Sequence, residues 1–175
     1  MKKLKLQELG RVSVEEYREV KKVPLIVVLD NIRSAMNVGS IFRTSDAMAI
    51  SKVYLCGISA TPPNREITKT AIGATDSVEW EYFESTSLAI ANLKSDGYEV
   101  VAIEQTDSSV ELMDYQPSND KIAVVLGNEV NGVDSELLPL LDGAIEIDQY
   151  GTKHSLNVSV CGGIVLHHLA GVLRK

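Results

Sequence analysis

The chain has 175 residues, 45% hydrophobic and 23% charged, enough for one domain with its own core. Its 17 Lys and Arg against 24 Asp and Glu give a net charge of −7, which excludes a polybasic, histone-like protein, and the apolar content excludes a disordered one. No apolar run reaches the ~18–20 residues of a membrane helix, and the start MKKLKLQELG lacks the apolar stretch of a secretory signal.

In chain order, SVEEYRE (13–19) predicts a short helix, with Ser13 as cap and Glu16 three residues on. PLIVVLD (24–30) is a continuous apolar run, as expected of a strand buried on both faces of a parallel sheet. Val38, Ile41, Phe42, Ser45 and Met48 recur at helical spacing, so 37–49 is a helix with Asn37 as its N-cap. KVYLCG (52–57) reads as a strand, TPPNREITKTAIGA (61–74) as a loop with at most a helical turn, and VEWEYF (78–83) as a short edge strand. STSLAIANLKSDG (85–97) is a helix ended by Gly97. YEVVAIE (98–104) and KIAVVLG (121–127) are buried strands, DSELLPLL (134–141) a short helix, AIEID (144–148) a last strand, and 155–173 a terminal apolar helix. Strands alternating with helices give an α/β fold with a mainly parallel sheet. Gly162 and Gly163 inside the last helix imply close packing against another backbone, in this chain or a partner's.

The charge is uneven. Residues 1–43 hold nine Lys and Arg against five acidic residues, a net +4, so the remainder carries −11. The basic residues Lys2, Lys3, Lys5, Arg11, Arg18, Lys21 and Lys22 divide the chain into an arm, 1–22, and a domain, 23–175. Such an arm is either a solvated helical face or a contact for a polyanion. Cys56 and Cys161 sit in apolar stretches and read as buried free thiols of a reducing cytoplasm. Three histidines and no C-x-x-C point away from a metal site.

Common catalytic motifs fail. Gly127-Asn-Glu-Val-Asn-Gly132 follows a strand like a phosphate loop, but Val133 and Asp134 stand where Lys and Ser or Thr are needed. No G-x-G-x-x-G follows a predicted strand, and there is no G-x-S-x-G. What remains are polar residues at the C-terminal ends of strands, where open α/β sheets bind ligands: Asn31, Arg33, Asn37 and Arg43; Asn128, Glu129 and Asn131; Ser155 and Asn157. Each has a plain alternative. Asn37 is a natural helix cap, Arg43 and Asp46 a helix-surface ion pair, and Asn131-Gly132 a turn.

Taken together, NVGSIFRTSDAMAI (37–50), VVLGNEVNGV (124–133) and AIEIDQYGTKHSLNVSVCGGIVLHH (144–168) resemble the three ordered motifs of the SpoU family of SPOUT RNA methyltransferases, nearest its tRNA-methylating branch. TAIGATDSVEWEYF (70–83) is similar to the segment between them, and the likeness covers about 25–173. The resemblance implies an α/β fold with a deep C-terminal trefoil knot, a rarity that periodicity does not reveal. It also implies S-adenosylmethionine as cofactor, a homodimer, and methyl transfer to a ribose 2′-hydroxyl of RNA, with tRNA favoured over rRNA. Carried over residue by residue, Asn37, Arg43, Glu129, Ser155 and Asn157 match the family's catalytic positions, and Gly127, Ile147 and Leu156 its cofactor-binding backbone. One departure stands out: the family's Ile-Pro-Met after the last strand is here Ile147-Asp148-Gln149.

A guanidinium keeps its proton, so the role expected of Arg43 is to stabilise the developing alkoxide rather than to act as base. Arg43 itself, Arg65 and Lys69, with Arg11 on the arm, are the candidate RNA contacts. The alternatives are the same reaction on rRNA, or a non-catalytic RNA-binding or assembly protein with a vestigial cofactor pocket.

Overall fold

A computed structural model describes residues 1–174, with backbone only at Leu6 and Gln7. Its frame is a single seven-stranded sheet. The strands are β1 (Val23–Asp30), β2 (Ile50–Cys56), β3 (Trp80–Phe83), β4 (Glu99–Ile103), β5 (Val110–Glu111), β6 (Ile122–Leu126) and β7 (Gly143–Glu146). They lie in the order β3-β2-β1-β6-β4-β7-β5, and every pairing is parallel. The apolar run of β1 is buried on both faces, as its sequence requires. Leu25, Val27 and Leu29 enter one core, and Ile26 and Val28 the other.

Helices cover both faces. On one side lie α2 (Ala35–Ala47), α3 (Arg65–Ala71), α4 (Ala74–Ser77) and α6 (Val158–Leu173), which bring Phe42, Ile67, Val165 and Leu169 into the first core. On the other lies α5 (Thr86–Ser95), with Ala89, Ile90 and Leu93, beside Val133 and Leu137. A short helix, α1 (Val14–Glu19), carries the Ser13–Glu16 capping box expected of it. It is docked on the domain: Tyr17 is buried, and its hydroxyl donates 3.0 Å to the Asp46 carbonyl. Lys22 stands over the Tyr17 ring, 3.2 Å from its centre.

Several elements differ from expectation. The 61–74 stretch holds the full helix α3, because Asn64 caps it through Glu66 N–H and Ile67 N–H, and α4 begins at its last residue. Ser34, not Asn37, caps α2, and its side chain accepts the Asn37 N–H. The segment 134–141 contains only a 3-10 turn, Leu138–Leu140. β5 has two exposed residues and no sequence signal. α6 starts at Val158, since Asn157 caps it by accepting from Ser159 N–H and Val160 N–H. Gly162 packs closely, but against a side chain rather than a backbone: a Cβ there would lie 2.9 Å from Leu126 Cδ1, while one on Gly163 would meet nothing within 4 Å. Both cysteines are unpaired. Among the described residues no helix is long and apolar enough to cross a membrane.

Candidate functional site

Parallel strands place all their C-terminal ends on one edge, and there the loops after β4, β6 and β7 and the approach to α6 enclose a cleft of about 640 Å³, within the usual range for a small-molecule site. Gly127, Ile147 and Leu156 all line it, as do Glu129, Ser155 and Asn157. The loop after β6 is closed by a reciprocal pair of bonds, Asn128 N–H to Gly132 O and Gly132 N–H to Asn128 O, both 2.9 Å. That closure dictates glycine at 127. A Cβ there would sit 2.1 Å from the Gly132 carbonyl carbon and the Val133 nitrogen.

Three motif residues from three distant stretches form one network at the mouth of this cleft. The Glu129 carboxylate accepts the Arg33 N–H at 2.9 Å, the Ser34 N–H at 3.0 Å and the Asn37 side-chain amide at 2.9 Å. It therefore sits at the N-terminus of α2, where the helix dipole also favours an anion. The Asn37 carbonyl oxygen in turn accepts the Asn157 amide at 3.2 Å, so the N-termini of α2 and α6 are tied together. Partial burial pushes the Glu129 carboxyl upward, but the Arg33 N–H, the Asn37 amide and the Ser34 N–H outweigh it. The group is held below the usual carboxylate range.

The remaining expected residues are dispersed. Ser155 is exposed on the cleft wall. Arg43 is exposed on α2, about 9 Å along the axis from Asn37, and does not line the cleft of its own chain. Arg65 and Lys69 are exposed one turn apart on α3, and Arg11 is exposed on the arm. The departure at Asp148 produces a negative rim. Repulsion from Asp148, then slight burial, Asp114 and Glu146 hold the Glu111 carboxyl above its ordinary value, and the Tyr150 hydroxyl donates to Asp148 at 2.8 Å.

Sequence reasoning missed three residues that build the site. Gly39 lets α2 and α3 touch: a Cβ there would fall 2.0 Å from Thr70 Oγ1 and 2.5 Å from the Ile67 carbonyl oxygen. The signal was available, a glycine inside an amphipathic helix. Asp30, buried at the end of β1, accepts the Thr86 hydroxyl at 2.6 Å, the Asn31 amide at 2.9 Å and the Asp134 N–H at 3.2 Å. Glu104, at the end of β4, also lines the cleft. Neither carboxylate has a local pattern that reveals its partners.

Known proteins are similar to this chain in sequence and fold. Residues 24–167 match the SpoU rRNA Methylase family. The chain is 28% identical over 165 residues to a tRNA (guanosine(18)-2′-O)-methyltransferase of Borreliella burgdorferi, covering 94% of this chain and 74% of that protein. It is 32% identical over 158 residues to the Aquifex aeolicus protein of the same name, covering 88% and 72%. Among solved structures, an AdoMet-bound rRNA methyltransferase from Sinorhizobium meliloti superposes with a TM-score of 0.81 at 26% identity, covering 90% of this chain but 60% of that one. The three sequence motifs, the parallel sheet and the family match agree: this chain belongs to the SpoU rRNA methylase family.

Proposed function

We propose that the protein is a cytoplasmic, S-adenosylmethionine-dependent RNA methyltransferase that modifies a ribose 2′-hydroxyl of tRNA. The observation that carries this reading is the Glu129–Asn37–Asn157 network at the mouth of a cofactor-sized cleft. Relatives named as tRNA guanosine 2′-O-methyltransferases support tRNA over rRNA. The cleft fits the cofactor in volume, and Gly127, Ile147 and Leu156 all line it. The bound cofactor supplies a methyl group already activated on sulfonium. The chain's own residues orient the nucleotide and stabilise negative charge on its 2′-oxygen. Glu129 and Asn37 hold the N-terminus of α2, the helix that carries Arg43.

The same reading makes the protein a homodimer. Met36 on α2, and Val160 and Ile164 on α6, are large apolar residues at 47%, 53% and 41% exposure. Arg43 lies seven residues, nearly two whole turns, from Met36 on the same outer face of α2. Pairing two copies through that face carries Arg43 to the shared boundary. The return of the chain from β7 to α6 is read as the crossing of a trefoil knot.

The place of Arg43 outside its own chain's cleft fits this pairing of two copies, and fits equally the second reading, an RNA-binding protein without catalysis. Labelled S-adenosylmethionine with total tRNA or ribosomal RNA, followed by nucleoside mapping, decides between them. Label is expected in tRNA; label in neither pool establishes the second reading. Arg43→Ala is expected to keep cofactor affinity and lose transfer by about 100-fold or more; unchanged turnover removes Arg43 from the chemistry.

A further inference from the structure

β4 lies between β6 and β7 in the sheet, so its C-terminal end opens between the two loops that form the cleft. Two polar residues stand there, Glu104 and Gln105. The Glu104 carboxylate accepts the Gln105 N–H at 2.9 Å through one oxygen and the Val133 N–H at 3.0 Å through the other. It thereby grips the far end of the loop after β6. The neighbouring Gly132 has φ +70°, and a Cβ on it would lie 2.2 Å from the same carboxylate oxygen. The carboxylate thus fills the space beside a glycine that the loop geometry already demands. On the other side, the Gln105 amide reaches the His154 carbonyl at a long 3.5 Å, at the start of the stretch leading to Leu156 and Asn157.

Burial, and secondarily the Glu104 charge, push the Cys161 thiol on the α6 side of the cleft up to about 11.

We propose that Glu104 and Gln105 are positioning residues for the cofactor: they fix the separation of the two loops that enclose it. The assignment rests on the cofactor reading above. A strand-end carboxylate that caps nearby N–H groups is also a common structural feature. Asp142 is one, accepting the Val100 N–H at 2.8 Å and the Lys94 amine at 2.9 Å at the opposite end of β4, away from the cleft. Asp142 is accordingly the control.

The test measures affinity for S-adenosylmethionine and for S-adenosylhomocysteine by calorimetry, with thermal unfolding and steady-state kinetics alongside. Glu104→Gln keeps the shape but presents an amide donor to one of two N–H groups. It is expected to raise Kd for both ligands about tenfold, with kcat at saturating cofactor within about twofold. Gln105→Ala is expected to raise both by about threefold, and because Gln105 is exposed this variant carries the test should Glu104→Gln fail to fold. Asp142→Asn is expected to lower Tm and leave both Kd values unchanged. Unchanged affinity in the Glu104 and Gln105 variants overturns the proposal, as does an equal loss in Asp142→Asn. A wild-type chain that binds S-adenosylmethionine but methylates no RNA refutes the methyltransferase reading and leaves this one standing. A wild-type chain that binds none refutes both.

Discussion

Glu129 holds the turn before α2 at Arg33 and Ser34, Asn37 within the helix and, through Asn37, Asn157 ahead of α6. Such a group has a pH signature. Its folded-state pKa is depressed, so the stability it contributes is complete above the unfolded carboxylate value of about 4.3. That stability is lost as pH falls from there through the lower folded value. Glu129→Gln is therefore expected to flatten the fall in Tm below about pH 4.5. It should also lower Tm at neutral pH, because one N–H donor at the α2 terminus loses a charged acceptor. An acid limb as steep as that of the wild type would show that the network does not hold the helix. The network itself was only half legible. Asn37, Glu129 and Asn157 stand out as polar residues after strands, but nothing local says that residues 92 and 120 positions apart meet. Local logic also misassigned Asn37 as a cap. Ser34 competes for the same role and, three residues earlier, wins it.

At the level of elements, α2 and α3 approach closely because Gly39 removes the side chain that would keep them apart. Gly39→Ala gains ~1 kcal/mol in helix propensity, but its methyl collides with a main-chain carbonyl that cannot swing away. Overpacking of this kind costs roughly 1–3 kcal/mol, so a lower urea midpoint is expected. Gly171→Ala on α6 meets nothing within 4 Å and should lose no stability. Equal midpoints for the two variants would deny the close approach of the helices. Element types were legible where burial is unambiguous. The runs in β1 and β6 are apolar because both faces are covered, and α2 shows its stripe. Legibility failed where hydrogen bonds rather than burial set the boundary. α3 hides in a polar stretch because a single cap, Asn64, starts it. Ser155–Asn157 looked helical because the pattern does not separate a cap from the turn it caps. β5 consists of two exposed residues and was beyond any periodicity.

At the scale of the whole molecule, charge and shape are divided. The net −7 is compatible with RNA only if the cations are gathered, and residues 1–43 carry +4 of excess. If the arm meets RNA, affinity must fall steeply with salt. Replacing Lys2, Lys3, Lys5 and Arg11 by Gln should then reduce the slope of log K against log salt by about 0.7–0.9 for each phosphate that is no longer neutralised. An unchanged slope in filter-binding titrations would leave α1 as a strut against the domain, the role its buried Tyr17 already serves.

The sheet order has a bearing on how the chain is made. β6 occupies the middle of the sheet, and its partner in β1 precedes it by 97 residues, from Val27 to Val124. At roughly 5–20 residues per second, a ribosome takes roughly 5–20 s to deliver the missing centre after the first strand emerges. Until then β1 and β4 each present a bare hydrogen-bonding edge, the kind of template on which nascent chains stick to one another. A premature stop just before Lys121 would release not a smaller enzyme but an adhesive three-stranded sheet, β3-β2-β1, with β4 lacking both of its neighbours, fit only for chaperones and proteases.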